Sequence, residues 1–231
     1  MATPKIILHH GDCLEKLRLI EPMSVQAVIT DPPYMIGSIS VGDPSSKSGT
    51  WADMENSAYW FSAWITQCKR ILKPDGFLIV FGNWRSVPTL IRAFSLAEIQ
   101  AQSCMIWDKQ WIGPGGPSAL RPVYEIVMFA AMPEAKIRNR SAKDIYTCKW
   151  MAGNMKESKH PAEKPVQVMR HLISLTAPDG GLIVDPFMGS GTTGRAAFLE
   201  GCDFVGIERE SEWVQTAKQR IFAPSQAALD V

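Results

Sequence analysis

The stretch LIVDPFMGSGTTG, Leu182 to Gly194, decides how the rest of the chain is read. Its apolar opening has the length and composition of a buried strand. It runs through Asp185-Pro186-Phe187 into Gly189-x-Gly191-x-x-Gly194, and helix-spaced apolar residues follow. Glycines after a strand let the backbone turn tightly and let a ligand approach the start of a helix. The next strand, DFVGIE, ends on Glu208, where a carboxylate can accept hydrogen bonds from ribose hydroxyls. Tight strand–helix turns also use glycine for packing alone. The strand before the turn and the acid behind it favour a nucleoside-containing cofactor.

A nicotinamide dehydrogenase would use the same arrangement. Here, however, the turn opens on Asp185-Pro186-Phe187 and adds hydroxyls at Ser190, Thr192 and Thr193. An acid before the glycines repels a pyrophosphate but attracts the ammonium of an amino-acid moiety, and Phe187 can cover an apolar or cationic surface. These features suit S-adenosylmethionine better than a dinucleotide.

Outward from this stretch, short apolar runs alternate with helix-period segments, the pattern of an α/β fold with a largely parallel sheet. The expected strands are Lys5–His9, Val25–Thr30, Gly76–Gly82, Ser103–Trp107, Val123–Ala130, Gly181–Asp185 and Asp203–Ile207. The expected helices are Cys13–Ile20, Ser57–Leu72, Val87–Ala97, Val166–Leu175, Thr192–Glu200 and Glu210–Ile221. No helix separates the fourth and fifth strands, which predicts an antiparallel pair near a sheet edge. The chain of 231 residues suits a single domain, 1–231, in which 35–55, including the Gly/Ser/Pro-rich run Gly37–Trp51, is expected to be a mobile loop.

The second motif is VITDPPYMIG, Val28 to Gly37. A given four-residue word arises by chance in a chain this long about once in a thousand, at roughly 5% per residue type. Prolines serve well as strand terminators, so a plain turn is one reading. In the other, the prolines stiffen the backbone, Asp31 and the Pro32 carbonyl accept hydrogen bonds from one amino group, Pro33 keeps the turn rigid, and Tyr34 stacks on the ring that bears the amine. That is a holder for a planar amine.

Composition narrows the setting. Net charge is +1, so a nucleic-acid partner must be met by a local patch. Residues 136–160 hold seven Lys/Arg against two acids, with Tyr146 and Trp150 among them. This basic insertion, 133–160, is a solvated surface or a nucleic-acid contact, and the interleaved aromatics favour the second. Five scattered cysteines, none spaced CxxC, and four histidines with no ligand pattern argue for a reducing compartment and against a metal site. With no long apolar run, the expected location is the cytoplasm, with no membrane partner.

With DPPY and DPFMGSGTTG both in view, the chain resembles the S-adenosylmethionine-dependent DNA amino-methyltransferases, which act on adenine N6 or cytosine N4. The catalytic motif comes first and the cofactor loop last, as in the circularly permuted β group, with target recognition between them. HHGDCLE, RPVYEIVMFA and HPAEKPVQVMRHLI resemble further family segments, with Ala162 where threonine is usual. The resemblance implies a Rossmann-like methyltransferase fold: a seven-stranded mixed sheet, helices on both faces, one antiparallel hairpin, and chain ends at neighbouring sheet positions. It implies catalytic Asp31, Pro32, Pro33 and Tyr34. Its cofactor set is Asp12 (to the adenine), Cys13, Lys164 (to the methionine carboxylate), Asp185, Pro186, Phe187, Gly189, Ser190, Gly191, Thr192, Thr193, Glu208 (to the ribose) and Arg209.

The activity so implied is methyl transfer to adenine N6 in double-stranded DNA, with the base flipped out and S-adenosylhomocysteine as product. Aspartate at position 31 favours adenine, since serine is more usual for cytosine N4. Lys136, Arg138, Arg140, Lys143 and Lys149 are the expected DNA contacts, and joint loss of the first three should weaken binding and flatten its salt dependence. The resemblance also allows a homodimer, a cognate restriction enzyme, and a bacterial or phage source. Cytosine-N4 transfer, transfer to an RNA base or a protein glutamine, and a non-catalytic DNA-binding module are the alternatives.

Overall fold

The computed structural model describes residues 3–33, 51–113, 117–150, 158 and 163–223. Tyr34, Ala162 and residues 35–50 lie outside the described residues. Among the described residues eight strands form one sheet in the order β1-β8-β7-β2-β3-β5-β4-β6. They are β1 (Ile6–His10), β2 (Val25–Thr30), β3 (Leu72–Gly82), β4 (Gln100–Asp108), β5 (Tyr124–Ala131), β6 (Ile145–Thr147), β7 (Leu182–Asp185) and β8 (Asp203–Glu208). Only β5 runs against its neighbours, pairing antiparallel with both β3 and β4.

Among the described residues six helices are present: α1 (Cys13–Leu17), α2 (Trp51–Ile71), α3 (Val87–Leu96), α4 (Val166–Thr176), α5 (Thr192–Leu199) and α6 (Ser211–Ile221). Side-chain alternation along the strands sorts them onto two faces. Val28, Leu78 and Val80 point to a core shared with Phe61, Trp64, Leu90 and Phe94 of α2 and α3. Ala27, Ile29, Ile79 and Phe81 point to the other core, with Met169, Leu172, Ala196 and Ile221 of α4, α5 and α6. Because β2 is buried on both faces, it reads as an unbroken apolar run.

The expected mixed sheet with helices on both faces is present, and its permuted start and end meet: β1 pairs in parallel with β8 from Ile6↔Phe204 to His10↔Glu208. The strand count needs correction from seven to eight. β6 holds three residues, two of them exposed, set among charges, so neither length nor alternation announces it. It adds in parallel to β4 from Ile106↔Ile145 to Asp108↔Thr147. The strand expected over Gly76–Gly82 begins earlier, at Leu72. Lys73-Pro74-Asp75-Gly76 lies within it, where the register against β2 jumps from Val25↔Leu72 to Ala27↔Phe77. Helix α2 begins at Trp51, so the last residues of the predicted loop are helical. Among the described residues no helix is long and apolar enough to cross a membrane.

The order in which strands are added reverses between the parallel neighbours β7 and β2. From β2 the chain builds outward through β3, and from β7 it builds the opposite way through β8. In open α/β sheets, ligands bind outside the carboxyl ends of the strands at such a switch point.

Candidate active site

Four neighbouring parallel strands each deliver a carboxylate at the carboxyl end. Asp12 follows β1, Glu208 ends β8, Asp185 ends β7 and Asp31 follows β2. At about 4.8 Å between strands the row is roughly 14 Å long. It lines a cavity of about 540 Å³, a size that suits a small-molecule ligand.

Each acid on the β1–β8–β7 side is held by uncharged donors. Asp12 caps α1, accepting from the Leu14 and Glu15 amides at 2.9 and 3.4 Å. Glu208 accepts from the Gly189 amide through Oε2 (2.9 Å) and from the Glu210 amide through Oε1 (2.8 Å). Asp185 accepts from Thr30 Oγ1 at 2.6 Å, from the Phe187 amide at 3.1 Å and from Thr193 Oγ1 at 2.7 Å. Burial pushes its carboxyl up to about 6; the two hydroxyls and the amide oppose the rise, and nearby Asp31 adds to it. The Thr30–Asp185 bond fastens the strand carrying the first motif to the strand carrying the second, 155 residues apart.

Asp31 differs. Its Oδ2 accepts from Lys164 Nζ at 2.6 Å, and the same ammonium lies 3.2 Å from Glu125 Oε2. Lys164 stands just before α4 and is buried, with Nζ 5.5 Å from the centre of the Phe81 ring. Burial acts to lower the pKa of Lys164, and the two carboxylates outweigh it and raise it, so the group stays charged.

The glycine turn is built for packing as much as for a ligand. Gly191 has φ +84°, and a Cβ there would stand 2.7 Å from Ala217 Cβ of α6. At Gly194 a Cβ would stand 2.6 Å from both Ile221 and Phe204. Gly189 alone of the three lines the cavity. Arg220, from α6, donates through Nη1 to the Ser190 carbonyl (2.9 Å), to Ser190 Oγ (2.8 Å) and to Thr192 Oγ1 (3.2 Å). Its other nitrogen lies 3.3 Å from the buried carboxylate of Glu163, which also takes a hydrogen bond from Ser158. The hydroxyls at 190, 192 and 193 therefore have partners within the protein.

The cavity gathers Asp31, Pro32 and Pro33 of the first motif with Asp12, Cys13, Lys164, Asp185, Pro186, Phe187, Gly189, Ser190, Thr192, Thr193, Glu208 and Arg209. Gly191 lies behind it. Burial, with Asp12 beside it, pushes the Cys13 thiol up to about 11, so Cys13 stands in the wall as a neutral thiol. Trp60 and Trp213 also line the space and had no motif to announce them, as do Glu163 and Met169, which lie in the HPAEKPVQVMRHLI segment but were not singled out there. Phe187 packs against Trp60 and Trp64, with ring centres 5.7 and 5.3 Å apart. The signal for Trp60 and Trp64 lay in the tryptophan pair spaced i, i+4 on α2, which reads equally as ordinary core.

The five basic residues are not brought together. β5 carries the chain away from the cavity, and Ala131 pairs with Phe77, which is level with Ala27 of β2. Ala131 lies about four residues, or roughly 13 Å, below the level of Asp31. Beyond it, the Arg138 amide donates to the Leu175 carbonyl at the far end of α4. Lys136, Arg138 and Arg140 thus belong to the opposite end of the sheet. Lys143 precedes β6, and Lys149 follows it at the carboxyl end.

The lining holds six acids, Asp12, Asp31, Glu163, Asp185, Glu208 and Glu210, against two cations, Lys164 and Arg209. That lining fits a positively charged ligand. A Rossmann-like sheet whose switch-point crevice favours a cationic nucleoside, with an Asp-Pro-Pro corner opening into it, defines an S-adenosylmethionine-dependent amino-methyltransferase. Residues 25–219 match the N6/N4 methyltransferase family, described as DNA methylase, and the chain belongs to that family.

Similar proteins agree. The type II methyltransferase M2.DpnII of Streptococcus pneumoniae is 26% identical over 251 residues, covering 96% of this chain and 91% of that protein. M2.LlaDCHI of Lactococcus lactis subsp. cremoris is 26% identical over 238 residues, covering 93% and 88%. The crystal structure of the M1.HpyAVI–SAM complex superposes with a TM-score of 0.74 at 25% identity, covering 94% of this chain and 100% of that one. The cytosine-N4-specific PvuII DNA methyltransferase shares the fold, with a TM-score of 0.77 at 19% identity over 97% and 89% of the two chains. The cofactor is S-adenosylmethionine and the substrate is DNA.

Proposed function

We propose that this chain methylates the exocyclic N6 of adenine in double-stranded DNA, on a base turned out of the helix into the crevice. The observation that carries the reading is Asp31-Pro32-Pro33 at the mouth of the cavity that holds the cofactor carboxylates. S-adenosylmethionine supplies an electrophilic methyl group on its sulfonium. An aromatic amine is a weak nucleophile because its lone pair is delocalised into the ring. Hydrogen bonds from the amine to Asp31 and to the Pro32 carbonyl localise that pair and aim it at the methyl. No covalent adduct with the base is needed, in keeping with the absence of a cysteine nucleophile in this role. An amine inside a duplex cannot reach such a corner, so the base must leave the stack. Tyr34 is the proposed stacking partner.

Adenine is favoured over cytosine by the aspartate, rather than serine, at position 31. Both bases offer an amine that Asp31 could hold, so the product decides. DNA from a methylation-free host, incubated with the protein and cofactor and digested to nucleosides, should yield N6-methyladenine by mass spectrometry. N4-methylcytosine alone would overturn the adenine reading, and transfer to RNA or protein but not to DNA would overturn the substrate.

The duplex approaches from the carboxyl ends of the strands, since the cavity opens there. Exposed Trp84, with Arg85 5.1 Å over its ring, follows β3. Trp111 follows β4 and stacks on Trp150, which comes from the insertion. Aromatic and basic side chains in this arrangement suit nucleic acid. Lys149 joins them, whereas Lys136, Arg138 and Arg140 reach DNA only if the duplex runs down the sheet edge. The type II names of the two bacterial relatives support a place beside a restriction enzyme.

A further inference from the structure

Behind Asp31 lies a chain of charges that alternate in sign. Lys109 Nζ is 3.4 Å from Glu125 Oε1, Lys164 Nζ is 3.2 Å from Glu125 Oε2, and Lys164 Nζ is 2.6 Å from Asp31 Oδ2. The side chains of Lys109, Glu125, Lys164 and Asp31 are 10, 14, 6 and 18% exposed. Glu125 sits near the start of β5, so its carboxylate reaches across the end of β3 to meet Lys164 beside Phe81.

If Lys164 needed only a counterion, Asp31 would be enough. A second carboxylate at 3.2 Å divides the ammonium between two acids, and Lys109 then balances that second acid. The four charges cancel. Among side chains this buried, the division matters, because a carboxylate bound in a complete ion pair is a weaker acceptor for a neutral amine. The Lys164 ammonium is engaged on Asp31 and Glu125, which also bears on its expected role as the anchor of the methionine carboxylate.

We propose that Glu125 is a positioning residue for methyl transfer: by sharing the Lys164 ammonium it fixes the orientation of Asp31 and preserves its strength as an acceptor. The inference rests on the reading of Asp31 as the holder of the target amine. Glu125 touches neither base nor cofactor and acts through Lys164.

Single-turnover methyl transfer to duplex DNA at saturating S-adenosylmethionine, paired with calorimetric cofactor titration, tests this. Glu125→Gln should slow transfer about tenfold, within the range of coupling between charged neighbours. Its cofactor affinity should stay within about twofold of the parent. In a Lys164→Met background the same change should alter the rate less than about twofold, because the residue through which it acts is gone. Glu125→Asp should recover part of the rate. It also stands in if thermal unfolding shows that Glu125→Gln does not fold, since an Asp variant with the parent rate and a shifted unfolding midpoint would reduce Glu125 to a structural role. Equal losses in both backgrounds, an unchanged rate in Glu125→Gln, or a parallel loss of cofactor affinity would overturn the proposal. Asp31→Ala in the same assay separates the two readings. If it turns over, the role of Asp31 fails; if it is dead while Glu125→Gln is fully active, only the role of Glu125 fails.

Discussion

The two sides of the crevice treat their carboxylates in opposite ways. On the β1–β8–β7 side, Asp12, Glu208 and Asp185 take hydrogen bonds from amides and hydroxyls. Those donors orient the acids without cancelling their charge. On the β2 side, Asp31 is met by an ammonium that is itself tied to a second ion pair. On the proposed assignment, with the cofactor on the first side and the target base on the second, the difference follows the ligands. A cationic sulfonium with an ammonium on its amino-acid end gains from unbalanced negative charge. An uncharged base gains from a neutralised surface, which it can enter without stripping water from a bare ion.

The largest expected effect falls on the target side. Asp31→Ala should lower turnover by about a thousandfold, the scale of losing a preorganised electrostatic contact to the reacting group. Cofactor affinity, measured by titration, should hold within about threefold; a matching collapse in affinity would erase the distinction between the sides. Next comes the pH dependence of cofactor binding. Asp185 is ionised above about 6 and protonated below it. A cation prefers the ionised form, so affinity should fall as pH drops through that value, by up to tenfold per unit. Asp185→Asn should flatten the curve, and a curve that keeps its slope would assign the titration elsewhere.

Gly191→Ala tests the frame behind the cofactor side. The residue would stand at φ +84° with its Cβ 2.7 Å from Ala217, a combination of strain and overlap that should cost about 2–4 kcal/mol of stability. Thermal unfolding would show it, and an unchanged midpoint would mean that α6 yields easily. The smallest effect is expected from joint removal of Lys136, Arg138 and Arg140. It should change DNA binding less than twofold, while Arg85→Ala with Lys149→Ala should weaken it severalfold and reduce its salt slope. The reverse result would place the duplex along the sheet edge.

The core of this fold was legible because β2, β7 and β8 are buried runs, each followed by a residue type that a strand end seldom needs. DPP and DPFMGSG announced themselves locally, and the parallel pairing of β2 with β7 brings them together. What escaped reading lies in contacts between distant segments. Lys164 meets Asp31 across 133 positions, and no spacing rule encodes that. Glu125 sits in an apolar strand, and Arg220 looks like a surface cation on an amphipathic helix until α6 packs it beneath the glycine turn. The basic run near Lys136 was visible as composition. Composition does not say which end of a strand the charges occupy, and the antiparallel course of β5 carried the first three away from the site.

The central claim is that the cofactor side governs binding and the target side governs chemistry. Single-turnover transfer by Asp185→Asn at saturating S-adenosylmethionine, set beside the same measurement on Asp31→Ala, tests it most directly. The account predicts that Asp185→Asn, once saturated, transfers methyl within about fivefold of the parent rate, while Asp31→Ala binds cofactor fully and transfers about a thousandfold more slowly. An Asp185→Asn protein that is saturated yet as slow as Asp31→Ala would contradict it.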